Sequence, residues 1–434
     1  MPRLEQVRRR QFLKGMAAAT FGAPLVVSPS AFGLNGSTAP SERITMGFIG
    51  VGKQCYGHVC YMANRPDVQV LAVCDVQETK REASKAAVVN AYSRREGYGS
   101  SYQGPALYND FRELIARGDI DAAVIGTPDH WHAIPAVEAA KAGMDIYCEK
   151  PLSLTIREAR AMVTATRRYG RVFQTGSQQR SSREFRFACE MVRSGRIGKL
   201  VTISVNVGGP SEDCYLPEEP VPAGVDWDLW LGPAPWRPYH SILCPPPSFT
   251  GFPYWRRYRD YSGGGMTDWG AHHFDIAQWG MGTDDSGPVE IIPPDGKDVK
   301  FLTYKYASGV TVQHNAGGNG VVFHGTEGKI EVNRGHLQTW PDNLMHKPTG
   351  PGEVHLYTST DHRGNWLDCI RSRQRPICDV EIGARSVSVC HLGNLAYWLK
   401  RPLKWDPASE QFIGDAEANR WIGRPYRDPW TLTV

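Results

Sequence analysis

Short apolar runs alternate with amphipathic stretches between residues 41 and 175. The apolar runs have the length of buried strands, and the stretches between them show the three-to-four-residue period of helices. This alternation predicts a parallel, doubly wound sheet. The strands predicted for this sheet are 44–49, 68–73, 121–126, 144–148 and 171–176.

The pattern changes in the second half of the chain. Residues 199–207 alternate between apolar and polar side chains, and residues 301–313 and 321–332 have the form of hairpin strands. Extended segments of this kind predict an open, mainly antiparallel sheet with one face against the first domain. Between them, the Pro- and Trp-rich residues 209–255 predict an elaborated surface loop, and residues 382–400 predict a helix.

A chain of 434 residues is long enough for two domains. We assign residues 43–178 to a Rossmann-type nucleotide-binding domain and residues 179–434 to a domain for substrate binding and oligomerisation. Residues 34–42 form a polar linker before them. The predicted fold class is therefore α/β, with an N-terminal doubly wound parallel sheet and a C-terminal α/β domain that has an open, mainly antiparallel sheet.

The N-terminal segment has the three regions of a signal peptide. Arg9 and Arg10 precede Phe-Leu-Lys, an apolar, Ala-rich run follows, and Ala31 and Gly33 supply the small residues that a signal peptidase reads. This order predicts a twin-arginine (Tat) signal over residues 1–33, with the Tat translocase as a partner and the periplasm as destination. A basic N-terminal arm is the alternative interpretation.

Charge is concentrated in the same segment. The formal net charge of the chain is +4, and residues 1–33 carry that whole surplus. The remaining chain is neutral, so it has no general electrostatic affinity for nucleic acid or anionic lipid. The apolar run of the signal is too short to span a bilayer, and no later stretch qualifies, so we expect no stable membrane anchor.

The ten cysteines are scattered along the chain, without a Cys-x-x-Cys pair. Cys74 and Cys148 lie in strand-like apolar runs, where a buried thiol acts as a small hydrophobe. A disulfide framework is therefore not expected, and the pairing left open is Cys369 with Cys378 or Cys390. No motif predicts a metal site.

The first predicted strand runs into Gly50-x-Gly52 and then into a predicted helix. In this strand–turn–helix setting, Gly50 permits the tight turn and Gly52 lets the backbone approach a pyrophosphate at the helix N-terminus. Lys53 and Gln54 open that helix and are further cofactor-binding candidates. The third glycine of the pattern is replaced by Cys55, which is small enough to keep helix and strand close.

Asp75 follows the second predicted strand, 23 positions after Gly52. This spacing is near that of an acid that hydrogen-bonds the adenosine ribose hydroxyls and disfavours a 2′-phosphate. The predicted cofactor is therefore NAD, with NADP kept open by the nearby Lys80 and Arg81. A helix N-cap is the alternative role for Asp75, and the glycine turn favours ribose binding.

Two further polar segments follow predicted strands. Residues 127–132 (Thr-Pro-Asp-His-Trp-His) follow one strand, and Glu149-Lys150-Pro151 follows the next. Ligands of open α/β sheets bind outside the carboxyl ends of the strands, so Lys150 lies where chemistry is expected. Pro151 biases Lys150 toward an extended conformation. A surface ion pair between Glu149 and Lys150 is the alternative.

A glycine-rich segment leads into a single helix predicted to start at Asp268 and to stop at Gly280. Asp268 and His272 are four positions apart and so share a helix face, where the carboxylate would raise the basicity of the imidazole. This arrangement suits a histidine general base near neutral pH. The alternatives are a solvated histidine on an ordinary helix and a metal cluster with Asp275. The cluster is disfavoured because the adjacent His272 and His273 point apart.

Three motifs in this order resemble the Gfo/Idh/MocA oxidoreductase family: the glycine turn, the Glu149-Lys150-Pro151 triplet and the Gly-Gly-Gly…Asp268-x-Gly-x-His272 segment. The likeness covers nearly all of the chain after the predicted signal. It implies a Rossmann domain followed by an α/β domain with an open sheet, and substrates such as sugars, inositols or their derivatives. The Trp-rich loop is similar to that of secreted family members.

The resemblance also implies residue roles. Lys150 and His272 carry the proton chemistry, and Asp268 is the orienting partner. Glu149 is grouped with the cofactor-binding residues. The residues implied to line the nicotinamide and ribose positions are Thr127, Pro128, His132 and Gln178.

Aromatic side chains supply candidates for the substrate side of the site. Trp236, Trp255 and Tyr258 suit stacking on a sugar ring, and packing inside the loop is the equal alternative for each. His273 is a further substrate candidate, beside His272.

The leading hypothesis is an NAD(P)-dependent oxidoreductase acting on a secondary hydroxyl or ketone of a sugar, glycoside or cyclitol. Export would separate it from free NAD, so the cofactor is expected to stay in the folded protein. The alternative is a redox-neutral glycoside hydrolase or lyase that works through a transient keto-sugar. A non-catalytic sugar-binding protein is a third hypothesis, which the presence of both Lys150 and His272 disfavours. The open sheet face suits a homo-oligomer.

Overall fold

The structure is a computed structural model that describes residues 38–94, 102–246 and 248–434. The predicted signal peptide lies outside the described residues, as do residues 34–37 of the predicted linker. Residues 38–43 form a unit of their own, with the 3₁₀ turn Pro40–Glu42. Residues 44–434 form the other unit, which contains every residue assigned above to cofactor or substrate.

The first predicted sheet is present and parallel. Its strands are β1 (Ile44–Ile49), β2 (Val68–Cys74), β3 (Ala106–Tyr108), β4 (Ala122–Ile125), β5 (Asp145–Cys148) and β6 (Phe173–Thr175). They lie in the order β3-β2-β1-β4-β5-β6. β4 and β5 are buried along their whole length, which is why their sequences are continuous apolar runs. The strand order reverses between β1 and β4, so a crevice opens at their carboxyl ends.

The second sheet is mixed and mainly antiparallel, as predicted. Its strands are β7 (Leu200–Val205), β8 (Glu290–Ile292), β9 (Thr303–Lys305), β10 (Thr311–His314), β11 (Val321–Gly325), β12 (Lys329–Asn333), β13 (His336–Trp340), β14 (Leu403–Asp406) and β15 (Gln411–Phe412). They lie in the order β13-β12-β11-β7-β10-β9-β8-β14-β15. β7 and β10 pair in parallel, and the other neighbours pair antiparallel.

Twelve α-helices occur in the described residues. They are α1 (Lys53–Ala63), α2 (Glu78–Ser93), α3 (Phe111–Ile115), α4 (Ala133–Lys141), α5 (Ile156–Arg168), α6 (Arg183–Arg193), α7 (Trp227–Leu231), α8 (Gly265–Asp268), α9 (Gly270–Met281), α10 (His362–Ser372), α11 (Val380–Leu399) and α12 (Ala416–Arg420). α5 starts at a capping box, in which Thr155 accepts the N–H of Glu158 and the Glu158 carboxylate accepts the N–H of Thr155.

Helix α11 joins the two halves of the molecule, because it packs against α5 of the first and α9 of the second. Gly383 permits close contact with the first sheet, since a Cβ there would lie 2.3 Å from Thr175 Oγ1. Trp366, Val387 and Trp430, all late in the sequence, belong to the cores on either side of that sheet. The two halves therefore share packed surfaces, and this contact fixes the walls of the cavity between them.

The Pro- and Trp-rich segment differs from its prediction. It was expected to be a surface loop, but Trp227, Trp230 and Tyr239 are buried in an apolar cluster. The segment also pairs with the first sheet, where the carbonyl oxygen of Val76 accepts the N–H of Asp226 at 3.0 Å. The prediction is confirmed for residues 212–224, which include no buried residue, and it is wrong for the tryptophans that follow, which bury against one another and against the nucleotide-binding half.

Three whole-chain features complete the fold. No helix in the described part of the chain has the length and apolar character to cross a membrane. All ten cysteines lie within the described residues and are free thiols, including Cys369, Cys378 and Cys390. The described residues bring no three His, Cys, Asp or Glu side chains into a metal-binding arrangement.

Candidate active site

A cavity of about 470 Å³ lies at the carboxyl ends of β1, β2, β4 and β5, beneath the Pro- and Trp-rich segment. It extends from the glycine turn to the start of α9. Most of the residues predicted from the sequence line it, namely Gly50, Gly52, Lys53, Gln54, Asp75, Thr127, Pro128, Glu149, Lys150, Gln178, Trp255, Asp268 and His272. The structure thus brings together segments that are more than 200 positions apart in sequence.

The glycine turn has the backbone geometry that its sequence predicts. Gly50 has φ = 76°, and a Cβ there would lie 2.6 Å from the backbone nitrogen of Thr127. Both facts exclude other residues at this position. Gly52 has no atom within 4 Å of its Cβ position, so its side faces open space. No side chain caps α1, which leaves the N–H groups of its first turn available to an anion.

Cys55 replaces the third glycine of the pattern without opening the turn. It is fully buried, and a Cβ at Gly126 would lie 2.4 Å from the Cys55 Cβ. The close approach of α1 to the end of β4 is therefore kept by a glycine on the strand side. This contact explains why a small side chain is tolerated on the helix side.

Asp75 lines the cavity and also braces the glycine turn. Its carboxylate accepts the N–H of Val51 at 2.8 Å and the N–H of Gln77 at 2.9 Å. Each carboxylate oxygen retains a further lone pair for a ligand. Lys80 lines the same wall, whereas Arg81 donates to the carbonyl of Asp75 and to Asn109.

His132 does not line the cavity, which corrects its predicted place beside the nicotinamide. Its ring is buried, and its two nitrogens lie 2.7 Å from the carbonyl oxygen of Pro151 and 2.9 Å from that of Thr127. The histidine therefore ties the loop after β4 to the loop after β5. Sequence position alone did not distinguish this bracing role from ligand contact.

Glu149 is an ionised carboxyl group in the cavity wall. It lies 2.7 Å from the Nε2 atom of His58 and accepts a hydrogen bond from Gln54 at 3.3 Å. Burial raises the pKa of Glu149, but His58, Lys150 and Gln54 outweigh burial and lower the pKa to about 2. A Cβ at Gly176 would lie 2.8 Å from the carboxylate, so the glycine makes room for it. His58 was missed, although it follows Gln54 by four positions on one helix face.

Lys150 and Asp268 form the ion pair at the centre of the site. The Lys150 Nζ atom donates to Asp268 Oδ1 at 2.6 Å and to the Asp268 carbonyl oxygen at 2.8 Å. Arg256 Nε lies 3.7 Å from the same carboxylate oxygen. Burial favours the neutral acid, but the charge and hydrogen bond of Lys150, with Arg256, keep the pKa of Asp268 below its ordinary value. The peptide bond between Lys150 and Pro151 is cis.

This pairing corrects the predicted role of Asp268. The expected single helix is interrupted at Trp269, with Asp268 at the end of α8 and His272 in the first turn of α9. The Asp268 carboxylate is occupied by Lys150, and the Nδ1 atom of His272 is buried without a hydrogen-bond partner among the described residues. Asp268 therefore orients Lys150 and not His272. Asp275, which lies on α9 with His272, forms an ion pair with Arg180 at 2.8 Å.

His272 is uncharged in this setting. Burial lowers the pKa of its imidazole well below 6.5, and the positive charges of Lys150 and Arg334 lower it further. The expectation that a neighbouring carboxylate would raise its basicity is therefore wrong, because the neighbouring charges are positive. A neutral imidazole is nevertheless the form that accepts a proton.

Asp129 and Arg334 are among the residues of the cavity wall that were not assigned from the sequence. Asp129 is buried and accepts a hydrogen bond from the Ser262 hydroxyl at 2.6 Å. Burial raises the pKa of Asp129 to about 7, against the opposing effects of Ser262 and Arg256. Arg334 reaches the wall from the turn between β12 and β13.

The substrate candidates divide into one that lines the cavity and three that do not. Trp255 forms part of the wall. Tyr258 packs inside the apolar cluster of its own segment, and Trp236 is 66% exposed and outside the cavity. His273 points away from the cavity, with its Nδ1 atom 3.3 Å from the carbonyl oxygen of Asn206. Tyr258 therefore follows the alternative of packing inside its segment, and the place of His273 next to His272 in sequence does not bring it to the cavity.

Two parts of one loop close the nucleotide side of the cavity. We call residues 240–246 and 248–256 the covering loop. Gln77 donates to the carbonyl oxygen of Pro245 at 3.2 Å, and Lys53 donates to that of Thr250 at 2.5 Å. The Lys53 ammonium also lies 4.6 Å from the ring centre of Phe252. These contacts join the covering loop to both sides of the glycine turn.

The cavity presents polar atoms that suit a dinucleotide. Among the described residues, three buried side-chain atoms that line it lack a hydrogen-bond partner: Thr127 Oγ1, Gln178 Oε1 and His272 Nδ1. Buried polar atoms are ordinarily satisfied, so these three indicate a ligand with hydroxyl or amide groups. With the open face of Gly52 and the uncapped α1, they fit the nicotinamide, ribose and pyrophosphate of NAD or NADP.

Solved structures with this fold are known. One is the WlbA dehydrogenase from Bordetella pertussis in complex with NADH and UDP-GlcNAcA, at 16% identity and a TM-score of 0.58, covering 84% of this chain and 99% of that one. Another is an aldose-aldose oxidoreductase from Caulobacter crescentus, at 18% identity and a TM-score of 0.56, covering 83% and 99%. At these identities the likeness establishes the fold alone.

Curated relatives match part of the chain. They include the glycosyl hydrolase family 109 protein 1 of Shewanella sp. (strain MR-4), 30% identical over 218 residues, and an alpha-N-acetylgalactosaminidase of Shewanella oneidensis, 30% identical over 214 residues. Each match covers 46% of this chain and 45% of the relative. The chain therefore spans about half the length of the curated relatives it matches.

Family models account for both halves of the structure. Residues 44–177 match the NAD-binding Rossmann fold of an oxidoreductase family, and residues 208–432 match the C-terminal alpha/beta domain of the same family. The first match contains the glycine turn and Lys150, and the second contains Asp268, His272 and Arg334. The chain belongs to the Gfo/Idh/MocA oxidoreductase family.

Proposed function

We propose that this protein oxidises or reduces a secondary hydroxyl or ketone of a sugar, glycoside or cyclitol with a tightly held NAD. The observation that carries the proposal is one cavity that joins the glycine turn to Lys150 and His272. A nucleotide site alone would need neither side chain, and a sugar site alone would need no glycine turn.

The residues that would hold the dinucleotide are those of the cavity wall named above. When bound, NAD supplies the acceptor or donor of a hydride at a carbinol carbon. NAD is proposed over NADP because the Asp75 carboxylate would repel a 2′-phosphate. Lys80, in the same wall, is the residue that would serve NADP instead. The covering loop supports tight retention, because it contacts Lys53 and Gln77 on the nucleotide side of the cavity.

Lys150 supplies electrostatic stabilisation in this proposal. Its ammonium has three N–H donors, and Asp268 accepts two of them. The third is left for the oxygen of the reacting hydroxyl or ketone, where negative charge develops. His272, uncharged before the reaction, takes the hydroxyl proton during oxidation and returns it during reduction.

A second candidate is redox-neutral glycoside cleavage, and the 30% identity to glycosyl hydrolase family 109 proteins favours it. In this case a glycoside would be oxidised transiently to a keto-sugar, lose its aglycone by elimination, add water at the same carbon and be reduced again by the hydride removed in the first step. The same Lys150 and His272 would handle the protons of both redox steps.

Product analysis tests the proposal and separates it from the second candidate. The purified protein is incubated with aryl and alkyl glycosides and the matching free sugars, and products are identified by mass spectrometry. A keto-sugar with an equal amount of NADH supports the oxidoreductase. Free aglycone without net redox change supports glycoside cleavage. Neither product from any sugar, with dinucleotide bound, would overturn both.

Export and assembly are also proposals. The Tat-type signal of residues 1–33 would direct the folded, loaded protein to the periplasm, and N-terminal sequencing of the mature protein from the periplasmic fraction tests this. The open face of the second sheet suits a homo-oligomer, and light scattering of the purified protein measures its mass. A cytoplasmic chain that starts at Met1, or a monomer, would contradict the respective proposal.

A further inference from the structure

Arg334 lines the cavity from the side of the second sheet. It lies in the turn between β12 and β13 and reaches the cavity beside His272. In the orientation of the Gln179 amide that satisfies both neighbours, the amide oxygen accepts from Arg334 Nε at 3.1 Å and the amide nitrogen donates to the His272 carbonyl at 3.1 Å. Gln179 thus connects the arginine to the first turn of α9, on the second-sheet side of the cavity.

The charge of Arg334 is unbalanced. Lys150 and Arg256 share the Asp268 carboxylate, with contacts of 2.6 and 3.7 Å. Arg334 forms no ion pair with any residue in the described part of the chain, and Asp268 acts on it from beyond ion-pair distance. Arg334 is exposed to solvent, and the burial of part of its side chain lowers its pKa, with the charge of Asp268 opposing that change.

The guanidinium is nonetheless held in a defined position. Its Cζ atom lies 4.7 Å from the centre of the Trp269 ring, and its Nε–H is directed at Gln179. A planar guanidinium fixed on an aromatic ring, with its terminal N–H groups free, matches the two oxygens of a carboxylate. Because Arg334 is exposed, these two contacts and not burial fix the position of its guanidinium.

We propose that the substrate is an acidic sugar, a uronate or a glycoside of one, whose carboxylate binds to Arg334 above the ring of Trp269. This inference rests on the proposed function, and it narrows the substrate class of the same site. The carboxylate would balance the one unpaired cation that the described residues place at the substrate end.

The bound carboxylate would also help His272. The imidazole becomes positively charged when it takes the hydroxyl proton, beside the cations Lys150 and Arg334. An anion on Arg334 reduces this repulsion, so an acidic substrate assists proton transfer as well as binding. A neutral sugar would lack both effects.

The test compares acidic and neutral sugars of the same configuration. The loaded protein is given glucuronate with glucose, galacturonate with galactose and mannuronate with mannose, each also as its methyl glycoside. The wild type should convert at least one acidic member with kcat/KM roughly 10- to 100-fold above its neutral partner, the range for a charged hydrogen bond. Arg334→Met should abolish that preference, and Arg334→Lys should keep part of it.

Arg257→Met is the matched control, because Arg257 is 61% exposed, outside the cavity and paired with Glu212 at 3.2 Å. It should leave the preference unchanged. Equal or better conversion of the neutral members by the wild type would overturn the inference while leaving the oxidoreductase proposal intact. A change of oligomeric state in Arg334→Met would also overturn it, since the arginine would then be an interface residue.

Equilibrium binding separates failure of the inference from failure of the proposed function. Inorganic sulfate is titrated into the loaded protein, and the fluorescence of Trp269 is isolated by comparison with Trp269→Phe. If sulfate binds to the wild type and not to Arg334→Met, the anion site at Arg334 is supported even if no sugar is converted. If the wild type neither binds sulfate nor prefers uronates, the proposed anion site is contradicted.

Discussion

The nucleotide end of the cavity is shaped mainly by backbone, whereas the catalytic end is assembled from side chains that distant segments contribute. At the first end, Gly50 and Gly52 form the turn, and Asp75 braces it by accepting the backbone N–H of Val51. At the second end, Lys150 and Asp268 meet across 118 positions of sequence. The comparison shows that the backbone shape of the nucleotide end follows from local sequence. The charge arrangement of the catalytic end instead depends on tertiary packing.

The electrostatics of the two ends differ as well. The nucleotide end offers N–H groups at a helix N-terminus, which suit phosphate oxygens. The catalytic end keeps His272 uncharged and, below about pH 7, Asp129 protonated. The proton chemistry that we propose lies at the second end, so substitutions at the two ends should fail in different ways.

Removing the catalytic side chains should have the largest effect. Lys150→Met and His272→Ala should each lower product formation roughly 10²- to 10⁴-fold, the range for a lost acid–base group. Lys305→Met, a surface lysine paired with Glu290 at 2.9 Å, is the control. Dinucleotide should remain bound in the His272 variant. Unchanged product formation in both variants would contradict the catalytic roles of Lys150 and His272. The proposed difference between the two ends of the cavity would then have no support.

A pair of glycine substitutions tests the nucleotide end. Gly50→Ala places a methyl group 2.6 Å from the Thr127 backbone at a left-handed φ, so the free energy of unfolding should fall by about 1–3 kcal/mol or more. Gly52→Ala meets no protein atom within 4 Å, so the fold should keep its stability. Gly52→Ala should nevertheless bind less dinucleotide, because its methyl group would occupy the open space proposed for the pyrophosphate. Less dinucleotide should therefore be released when the variant is denatured. Equal stability of the two variants would contradict the geometry.

Asp129 gives the catalytic end a measurable pH dependence. An unfolded chain ionises Asp near pH 4, whereas folded Asp129 keeps its proton to about pH 7. Between these values the folded state binds more protons, so its stability falls as pH rises, by up to about 1.4 kcal/mol per pH unit. Asp129→Asn lacks this loss. Denaturant titrations from pH 4 to pH 8 should show the stability of Asp129→Asn rising relative to that of the wild type as pH increases. If the two stabilities change in parallel with pH, folded Asp129 does not keep its proton.

Asp75→Ala should have the smallest effect of the four. It removes an acceptor from Val51 and the proposed ribose contact, so bound NAD should be lost roughly tenfold faster. Preference should shift toward NADP, because the repulsion of a 2′-phosphate is removed. Exchange against excess NADP, followed by mass spectrometry, measures both effects. A variant that retains NAD fully and rejects NADP would place the ribose elsewhere.

The same comparison explains what the sequence predicted. The glycine turn, both sheets and the loops after β4 and β5 follow from local patterns, because each depends on neighbouring residues. Asp268 was assigned to His272 from their spacing of four, but the ammonium of Lys150 occupies its carboxylate. No local pattern carries that information.

Other residues were missed for related reasons. Arg334 sits in an Asn-Arg-Gly turn that reads as an exposed hairpin, and only the packing of the second sheet brings it to the cavity. His273 was assigned beside His272, although adjacent side chains point in different directions, and Tyr258 was assigned as a stacking ring but packs inside its own segment. His58 was the missed residue with a usable signal, since it shares a helix face with Gln54.

The measurement that tests the central claim most directly is the dinucleotide content of the purified, mature protein. The protein is denatured, and the released small molecules are identified and counted by mass spectrometry. We predict close to one NAD per chain, carried without any added cofactor. A folded protein that releases no dinucleotide, and takes up none when NAD or NADP is offered, would contradict the claim that this cavity is a nicotinamide site.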